Sequence, residues 1–287
     1  MWIYLNGRMV DATDARVSIF DGGLLYGDGV FETVRIHNGC PVWLDRHLAR
    51  LSQSCQAIHL EAPATNWHDV FRHVIARNQL EHAMIRLTLS RGACLTRDGG
   101  AATAEAYTGP TVALVPRPLR HITAQQRHNG VPIITATIRR PSPASYPTQA
   151  KTLSCVNMLL AAREAAARGA FEGLQLTIDG YLAECSMSNL FFVKQNTLHT
   201  PSLACGVLPG ITRGLVLEVA PALGLDTQEG RYLPDILDDA DECFLTSSGI
   251  GILPVETIDD RALPKQSSGS CVAILQHRYD CMIREQR

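Results

Sequence analysis

The stretch SYPTQAKTLSCVNMLLAAREAA (Ser145 to Ala166) carries a lysine where a proline-rich loop runs into an apolar, alanine-rich segment. Lysine is rare in this chain, which has three lysines (positions 151, 194 and 265) against 23 arginines. A lysine shielded from water loses its proton more readily and can then attack a carbonyl, whereas an arginine stays protonated. Lys151 is therefore a candidate nucleophile, and the alternative is a solvated lysine at the start of a helix.

The composition is that of an ordinary globular protein. Of 287 residues, 46% are hydrophobic and 19% are charged, and the net charge of −2 gives no reason to expect a nucleic-acid partner or a membrane partner. We find no run of about 20 apolar residues that could span a membrane and no signal-peptide pattern. The nine cysteines are odd in number and lack CxxC spacing, so we expect free thiols in a reducing cytoplasm, without a disulfide framework or a metal site.

The first part of the chain predicts hairpins and amphipathic helices. Apolar alternation on either side of Asn6-Gly7, and again around Asn38-Gly39, predicts two hairpins. The segment DRHLARLSQSCQAIHL has apolar residues at helical spacing, with Asp45 as its expected N-cap, and NWHDVFRHVIARNQL predicts a second helix.

The pattern changes near residues 116–125. Beyond it, TLSCVNMLLAAREAAARGA predicts one long helix, and GLQLTIDGYLAECSMSNLFFVKQNTLHTP predicts a meander of strands. We therefore predict an α+β chain with an N-terminal α/β domain over residues 1–117, a linker over 118–126 and a C-terminal domain over 127–287.

Glu184 lies between two apolar strand segments in GYLAECSMSNLFFV. A buried carboxylate needs a cationic partner, and the protonated ring nitrogen of pyridoxal phosphate (PLP) would serve. The alternative is a glutamate at the turn of an edge strand. Ser188 and Asn189 follow, and they suit either a turn or a contact with a cofactor.

The segment GVLPGITRGLVLEVA has the pattern of a phosphate cradle. Gly210 allows a close backbone approach, and Ile211 and Thr212 open a helix whose free N–H groups favour an anion. The segment LTSSGIG adds the hydroxyls of Thr246 and Ser247. Each pattern also fits an ordinary helix start or loop.

Arg50 lies in HLARL on a partly apolar helix face, where a guanidinium needs an anion. A phosphate is one candidate, and a surface ion pair is the alternative. Taken together, these segments offer an amine, a partner for a pyridine nitrogen and three separate phosphate contacts, which is the set that PLP requires.

The sequence resembles the class IV aminotransferase family, the fold-type IV PLP enzymes. The resemblance rests on YLNGRMV, YGDGVFETVRI, HLARL, LSRG, AKTLSCVN, AECSMSNLFF, GVLPGITR and LTSSGIGILPV, in this order along most of the chain. It implies a two-domain enzyme with a small N-terminal α/β domain and a larger, barrel-like, PLP-binding C-terminal domain. It also implies a homodimer that acts on a small-molecule amine or amino-acid-like substrate.

The resemblance also implies roles for single residues. Lys151 matches the Schiff-base lysine, which also moves protons, and Glu184 matches the carboxylate on the pyridine nitrogen. Leu208 matches the apolar residue that packs on the cofactor ring. The phosphate contacts match Arg50, Ile211, Thr212, and Thr246 or Ser247.

Substrate choice is expected in the N-terminal part, where GVFETVRI carries Phe31, Thr33 and Arg35. Branched-chain aminotransferases usually have glycine where Thr33 stands. In aminodeoxychorismate lyases, a threonine at this place is proposed to help proton transfer. In RLTLSRGACLTR, Arg86 and Arg97 match two basic residues of the lyases, and two cations suit a substrate with two carboxylates.

We therefore expect a 4-amino-4-deoxychorismate lyase of folate biosynthesis, which releases 4-aminobenzoate and pyruvate. A transaminase stays open, one that moves an amino group between a branched-chain L-amino acid, a D-amino acid or a primary amine and a 2-oxo acid. The transaminase alternative is favoured by GVLPGITR, which is closer to the usual motif of branched-chain aminotransferases. It is also favoured by KTLSCVN, which differs from the KHLNR motif of some lyases. A non-catalytic PLP-binding relic is the third alternative.

Overall fold

The computed structural model describes residues 1–94, 107–264, 267 and 269–286. Helices and strands occur together throughout, so the predicted α+β class is confirmed. Within the described residues, no helix combines the length and the apolar character needed to cross a membrane.

The chain divides into two compact units. The first contains Met1–Leu119 and Ala150–Cys155, and the second contains Arg120–Gln149 and Val156–Glu285. A division of the sequence at one linker does not anticipate that Ala150–Cys155 belongs with the N-terminal residues.

The first unit is built on a six-stranded antiparallel sheet with spatial order β2-β1-β6-β5-β3-β4. The strands are β1 (Trp2–Leu5), β2 (Arg8–Asp11), β3 (Gly29–His37), β4 (Cys40–Pro41), β5 (His82–Ser90) and β6 (Thr111–Arg117). The hairpins predicted at Asn6-Gly7 and Asn38-Gly39 are confirmed. All four turn residues have positive φ, as the tight two-residue hairpin turn requires.

The described residues of the first unit form three α-helices: α1 (Gly22–Tyr26), α2 (Leu44–Ala57) and α3 (Trp67–Asn78). The expected N-cap at Asp45 is wrong. The N-cap lies two residues earlier, at Trp43 in the left-handed region (φ 50°), and the helix begins at Leu44. Asp45 lies instead in the first turn of α2, where a carboxylate interacts favourably with the helix dipole. Its Oδ1 is 2.9 Å from His68 Nε2.

Strand β3 alternates between a core face and a second face. Leu51 of α2 and Phe71 of α3 belong to the same buried apolar cluster as the even-numbered Val30, Val34 and Ile36. The odd-numbered side chains, Phe31, Thr33 and Arg35, point to the other side because successive residues of a strand alternate. Glu32 is even-numbered and therefore shares the face of the apolar core.

The second unit contains a nine-stranded mixed sheet that curls into a half-barrel. Its spatial order is β12-β11-β10-β13-β14-β7-β8-β9, with β15 paired to β14. The strands are β7 (Val131–Thr135), β8 (Glu172–Leu176), β9 (Leu182–Cys185), β10 (Asn189–Lys194), β11 (Thr197–Pro201), β12 (Asp226–Gly230), β13 (Glu242–Ser247), β14 (Gly251–Ile258) and β15 (Arg261–Ala262). The core of this unit includes Leu190, Phe192, Leu245 and Leu253.

The predicted meander is only half right. Strands β8 and β9 pair, and so do β10 and β11, but β10 takes β13 rather than β9 as its other sheet neighbour. The helices of this unit are α4 (Ala124–Asn129), α5 (Val156–Ala167), α6 (Ile211–Val219) and α7 (Cys271–Glu285). Helix α5 begins four residues later than predicted, because Lys151 and Leu153 make backbone hydrogen bonds to β3.

Candidate active site

Lys151 is held in an extended segment that runs along β3. Phe31 N–H donates to the Lys151 carbonyl at 2.9 Å, and Leu153 N–H donates to the Gly29 carbonyl at 2.8 Å. On the other side, Lys151 N–H donates to Ser54 Oγ of α2 at 3.0 Å, and Ser54 is buried. The lysine backbone is therefore fixed to a strand and a helix of the same unit.

The side chain of Lys151 lies over an aromatic ring. Its Nζ is 4.5 Å from the centroid of the Phe31 ring, and the guanidinium carbon of Arg86 is 3.6 Å from the same centroid. The ring face carries negative partial charge, so it attracts both cations. Phe31 thus brings the candidate nucleophile and a candidate carboxylate clamp to one side chain.

The predicted substrate residues of the first unit share one sheet face. Thr33 lies directly opposite Arg86 on the neighbouring strand, and Arg86 Nε donates to Thr88 Oγ1 at 3.3 Å. Burial lowers the pKa of Arg86, and the charge of Arg117 lowers it further. Arg35 Nε is buried without a hydrogen-bond partner among the described residues. This face is therefore rich in partly shielded cations, while Arg97, the second predicted clamp, lies outside the described residues.

A buried cluster around Arg50 was not anticipated from the sequence. Arg50 Nε donates to Glu32 Oε1 at 2.7 Å, Arg50 Nη2 donates to Glu32 Oε2 at 2.8 Å, and His47 Nδ1 is 2.7 Å from Glu32 Oε2. Burial alone would raise the pKa of Glu32, but Arg50 and His47 outweigh it and hold that pKa far below its ordinary value. Burial lowers the pKa of His47 despite the neighbouring carboxylate. Arg50, predicted to bind phosphate, thus has a carboxylate of its own unit as a partner.

The sequence contained a signal for this cluster. Glu32 occupies an even position in a strand whose other even positions are apolar, so it had to be buried and needed a cation. His47, Arg50 and Ser54 are spaced three and four residues apart, which places them on one face of α2.

In the second unit, Glu184 lies at the centre of a buried polar cluster. Arg140 Nη2 is 2.8 Å from Glu184 Oε1, while Asn189 Nδ2 and Leu208 N–H each donate to Oε2 at 2.9 Å. Arg140 also donates through Nε to the Gly206 carbonyl at 2.9 Å. The cation that the sequence required beside Glu184 is, within this unit, Arg140, which the sequence reading did not name.

Ser188, predicted to touch the cofactor, bonds a second buried carboxylate. Its hydroxyl donates to Glu172 Oε2 at 3.0 Å, and Met187 N–H donates to the same oxygen at 2.8 Å. Burial raises the pKa of Glu172, and these hydrogen bonds oppose the rise. Glu172 therefore shapes the turn between β9 and β10 that carries Ser188.

The N-terminus of α6 has the features expected of an anion site. Gly210 is its N-cap residue, and no side chain caps the helix. A Cβ at Gly210 would lie 2.0 Å from Asn189 Oδ1, so only glycine fits there. Asn189 also faces Thr246 across the pair β10–β13. The backbone N–H groups of the first turn favour negative charge.

The second unit also contains hydroxyl groups of the kind that bind a phosphate. Thr246 Oγ1 is buried without a hydrogen-bond partner among the described residues. Thr212 Oγ1 lies 3.5 Å from the Tyr279 hydroxyl, and Ser247 is the last residue of β13. A buried hydroxyl without a partner is costly unless a ligand supplies one. The donor set therefore fits a phosphate group such as that of PLP.

The amino-acid sequence matches the profile of the family described as amino-transferase class IV over residues 29–258. The chain is 33% identical over 282 residues to a putative branched-chain-amino-acid aminotransferase of Methanocaldococcus jannaschii, covering 97% of this chain and 95% of that protein. It is 34% identical over 282 residues to the aminodeoxychorismate lyase of Bacillus subtilis, covering 96% and 93% of the two chains.

Solved structures agree with the sequence relatives. The fold superimposes with a TM-score of 0.88 on a branched-chain aminotransferase from the archaeon Thermoproteus uzoniensis that was crystallised with norvaline, at 28% identity, covering 100% of this chain and 96% of that one. Other structural neighbours in the same group are branched-chain aminotransferases crystallised with pyridoxamine 5'-phosphate or a phosphopyridoxyl derivative. The chain belongs to the class IV aminotransferase family. It is a PLP-dependent enzyme, and the predicted family and cofactor are confirmed.

The contact between Arg140 and Glu184 predicts that losing Arg140 destabilises the protein only while Glu184 carries its charge. Arg140→Met leaves a buried carboxylate without its cation, so we expect the free energy of unfolding to fall by about 3 kcal/mol. Urea denaturation of the protein measures this change. Adding Glu184→Gln to Arg140→Met should recover most of the loss, because no buried charge then remains.

Lys194→Met is the control for this prediction, because the Lys194–Asp239 pair is more exposed. It should change the free energy of unfolding by less than about 1 kcal/mol. If Arg140→Met costs the same with and without Glu184→Gln, Arg140 does not act by compensating that carboxylate.

Proposed function

We propose that the chain is a 4-amino-4-deoxychorismate lyase that releases 4-aminobenzoate and pyruvate. The observation that carries the proposal is the placement of Thr33 directly opposite Arg86, with Arg86 stacked on Phe31. The shielded guanidinium of Arg86 suits a substrate carboxylate, and the hydroxyl of Thr33 on the same face suits a proton transfer. The lyase relative of Bacillus subtilis supports the same assignment.

The chemistry of the proposed reaction needs no second substrate. The ring loses the proton on the carbon that carries the amine and loses the C–O bond to the enolpyruvyl group, which leaves as pyruvate after protonation. The ring becomes aromatic, and this supplies the driving force. PLP, when bound, supplies the electron sink that makes the ring proton acidic.

In the first unit, we assign Lys151 as the residue that holds the cofactor and then moves protons through its Nζ as general base and acid. Thr33 assists this transfer through its hydroxyl. Phe31, Arg35 and Arg86 bind the substrate, and a guanidinium binds a carboxylate through two parallel hydrogen bonds. Arg97 keeps the same proposed role, and Arg50 is assigned to the cofactor phosphate.

In the second unit, we assign Glu184 to the pyridine nitrogen of the cofactor. Its hydrogen bonds from Asn189 Nδ2 and Leu208 N–H, together with the contact to Arg140, hold the carboxylate in a fixed orientation. The residues assigned to the phosphate and the cofactor ring in this unit are Ser188, Leu208, Gly210, Ile211, Thr212, Thr246 and Ser247.

A transaminase is the second candidate function. It is supported by the relative from Methanocaldococcus jannaschii, a putative branched-chain-amino-acid aminotransferase. The motif GVLPGITR, which is closer to that of branched-chain aminotransferases, also supports it. A non-catalytic PLP-binding protein is disfavoured, because Lys151, Arg86 and Thr33 lie together in the same unit. A purified protein that is yellow yet inert toward every amine would favour that alternative.

Substrate turnover separates the two enzymatic functions. We expect aminodeoxychorismate to give 4-aminobenzoate and pyruvate in equal amounts, measured by chromatography and a coupled pyruvate assay. Single amino acids without a 2-oxo acid should leave the cofactor absorbance nearly unchanged. Arg86→Gln should raise KM for aminodeoxychorismate about tenfold or more, because it removes a charge-assisted contact.

The opposite result identifies the transaminase. Stoichiometric conversion of the cofactor to its pyridoxamine form by L-leucine or D-alanine, with no turnover of aminodeoxychorismate, would contradict the lyase proposal.

The role of Lys151 is tested by spectroscopy. Lys151→Ala should abolish the visible absorption of the lysine-bound cofactor, and its circular dichroism should match that of the wild type. Lys194→Arg is the matched control, since it replaces one of the three lysines at a surface pair and should keep the absorption. A Lys151→Ala protein that keeps the absorption would show that another amine holds the cofactor.

We propose that the active form is a homodimer. A short segment of the first unit, residues 17–26, exposes six large apolar side chains: Val17, Ile19, Phe20, Leu24, Leu25 and Tyr26. Exposed apolar patches of this kind mark interaction sites. A second copy of the chain is the partner that the family resemblance implies.

The dimer proposal predicts a change in mass when the segment is charged. Leu24 is 66% exposed, and Leu24→Asp should shift the protein from dimer to monomer in sedimentation velocity, because an interface core excludes unpaired charge. Ile178→Asp is the control, since Ile178 is also 66% exposed but lies in the second unit. A monomeric wild type, or a dimer that persists in Leu24→Asp, would contradict the proposal.

A further inference from the structure

Glu32 has an unusual position for a carboxylate. It lies at 0% exposure on the same face of β3 as Val30, Val34 and Ile36 of the apolar core. Taking a carboxylate out of water costs several kcal/mol, and a buried ion pair is often no more stabilising than apolar residues of the same volume. Stability alone therefore gives a weak reason for Glu32.

The geometry around Glu32 gives a better reason. The carboxylate takes two nitrogens of Arg50, Nε at 2.7 Å and Nη2 at 2.8 Å, in a fork-to-fork arrangement. Such a bidentate contact fixes the plane of the guanidinium and not only its position. His47 Nδ1, 2.7 Å away, fixes the carboxylate in turn.

The same helix face reaches the segment that carries the candidate nucleophile. His47, Arg50 and Ser54 lie along one side of α2, and Ser54 Oγ accepts from Lys151 N–H. The charge of Lys151 also acts on His47. The Glu32 cluster therefore lies beside Lys151 and is not a remote structural feature.

We propose that Glu32, oriented by His47, is a positioning residue that fixes the Arg50 guanidinium for the phosphate of the cofactor. The proposal rests on the proposed function only in assigning Arg50 to that phosphate. A long arginine side chain loses rotamer freedom when it binds, and Glu32 removes that freedom in advance. The negative charge of Glu32 has the opposite effect on PLP affinity, because it cancels part of the attraction of Arg50 for an anion. Replacing Glu32 therefore shows which of the two effects is larger.

The test compares two ligands that differ only in the phosphate. The full-length apoprotein is titrated with PLP and with pyridoxal, and absorbance gives both dissociation constants. In Glu32→Gln, we expect PLP to bind about 10-fold to 100-fold more weakly, by analogy with the loss of metal affinity when a residue that orients a metal ligand is replaced. The dissociation constant for pyridoxal should stay unchanged. Glu32→Asp, which keeps the charge, should recover part of the loss.

The matched control is Asp28→Asn in the same unit. Asp28 also makes a bidentate pair with an arginine, with Arg91 Nε at 2.6 Å and Nη2 at 3.0 Å. General damage from a lost ion pair would weaken PLP binding in this variant too. We expect its ratio of PLP affinity to pyridoxal affinity to equal that of the wild type.

Arg50→Met separates this inference from the proposed function. If Arg50→Met leaves the ratio unchanged, the assignment of Arg50 to the phosphate fails. If Arg50→Met lowers the ratio and Glu32→Gln leaves it unchanged or raises it, the positioning role of Glu32 is overturned. Should Glu32→Gln not fold, Glu32→Asp is titrated instead, and an unchanged ratio in that variant likewise overturns the inference.

Discussion

The pairing of residues 151–153 with β3 is the constraint on which the proposed chemistry depends. Two backbone hydrogen bonds, from Phe31 N–H and from Leu153 N–H, turn a stretch that resembles a helix start into an added edge of the N-terminal sheet. Backbone bonds of this kind do not depend on side-chain identity. The backbone of Lys151 is therefore fixed, and this fixes where the side chain proposed to hold the cofactor begins.

Each compact unit contains a buried carboxylate paired with an arginine, and the two pairs differ in their surroundings. Glu32 is fully enclosed among apolar residues and is held by Arg50 and His47. Glu184 shares its oxygens among Arg140, a side-chain amide and a backbone N–H. Because isolated buried charges are costly, both carboxylates restrict the rotamers of their partners. By this argument, the pairs matter less for net stability than for the orientation of the arginine side chains that they hold.

Periodicity predicted the parts of the fold that are local in sequence. The Asn-Gly hairpins and helices α2 and α3 follow from turn chemistry and apolar spacing within a few residues. The start of α5 and the break in the meander could not be predicted this way, since both depend on strands far along the chain. Helix propensity favoured a helix from Thr152, and pairing with β3 overrode it.

The candidate site shows the same limit. Lys151 and Glu184 could be named as candidates because a rare lysine and a carboxylate between apolar strands are visible in the sequence itself. Their neighbours were missed: Ser54 is 97 residues from Lys151, and Arg140 precedes Glu184 by a whole helix and strand.

The sheet face with Phe31, Thr33 and Arg86 bears on how one set of residues could serve either a lyase or a transaminase. Both reactions begin with removal of a proton beside the amine, which is the step proposed for Lys151. They diverge in where the next proton goes and in which group leaves. A transaminase releases a 2-oxo acid and keeps the amino group, whereas the lyase must protonate the departing enolpyruvyl group. Thr33 neighbours Arg86 across the strand pair. In the proposed lyase reaction, its hydroxyl would serve the leaving group beside the guanidinium that would bind the carboxylate of that group. A glycine at position 33 would offer room but no proton path, and this difference is the physical reason for favouring the lyase.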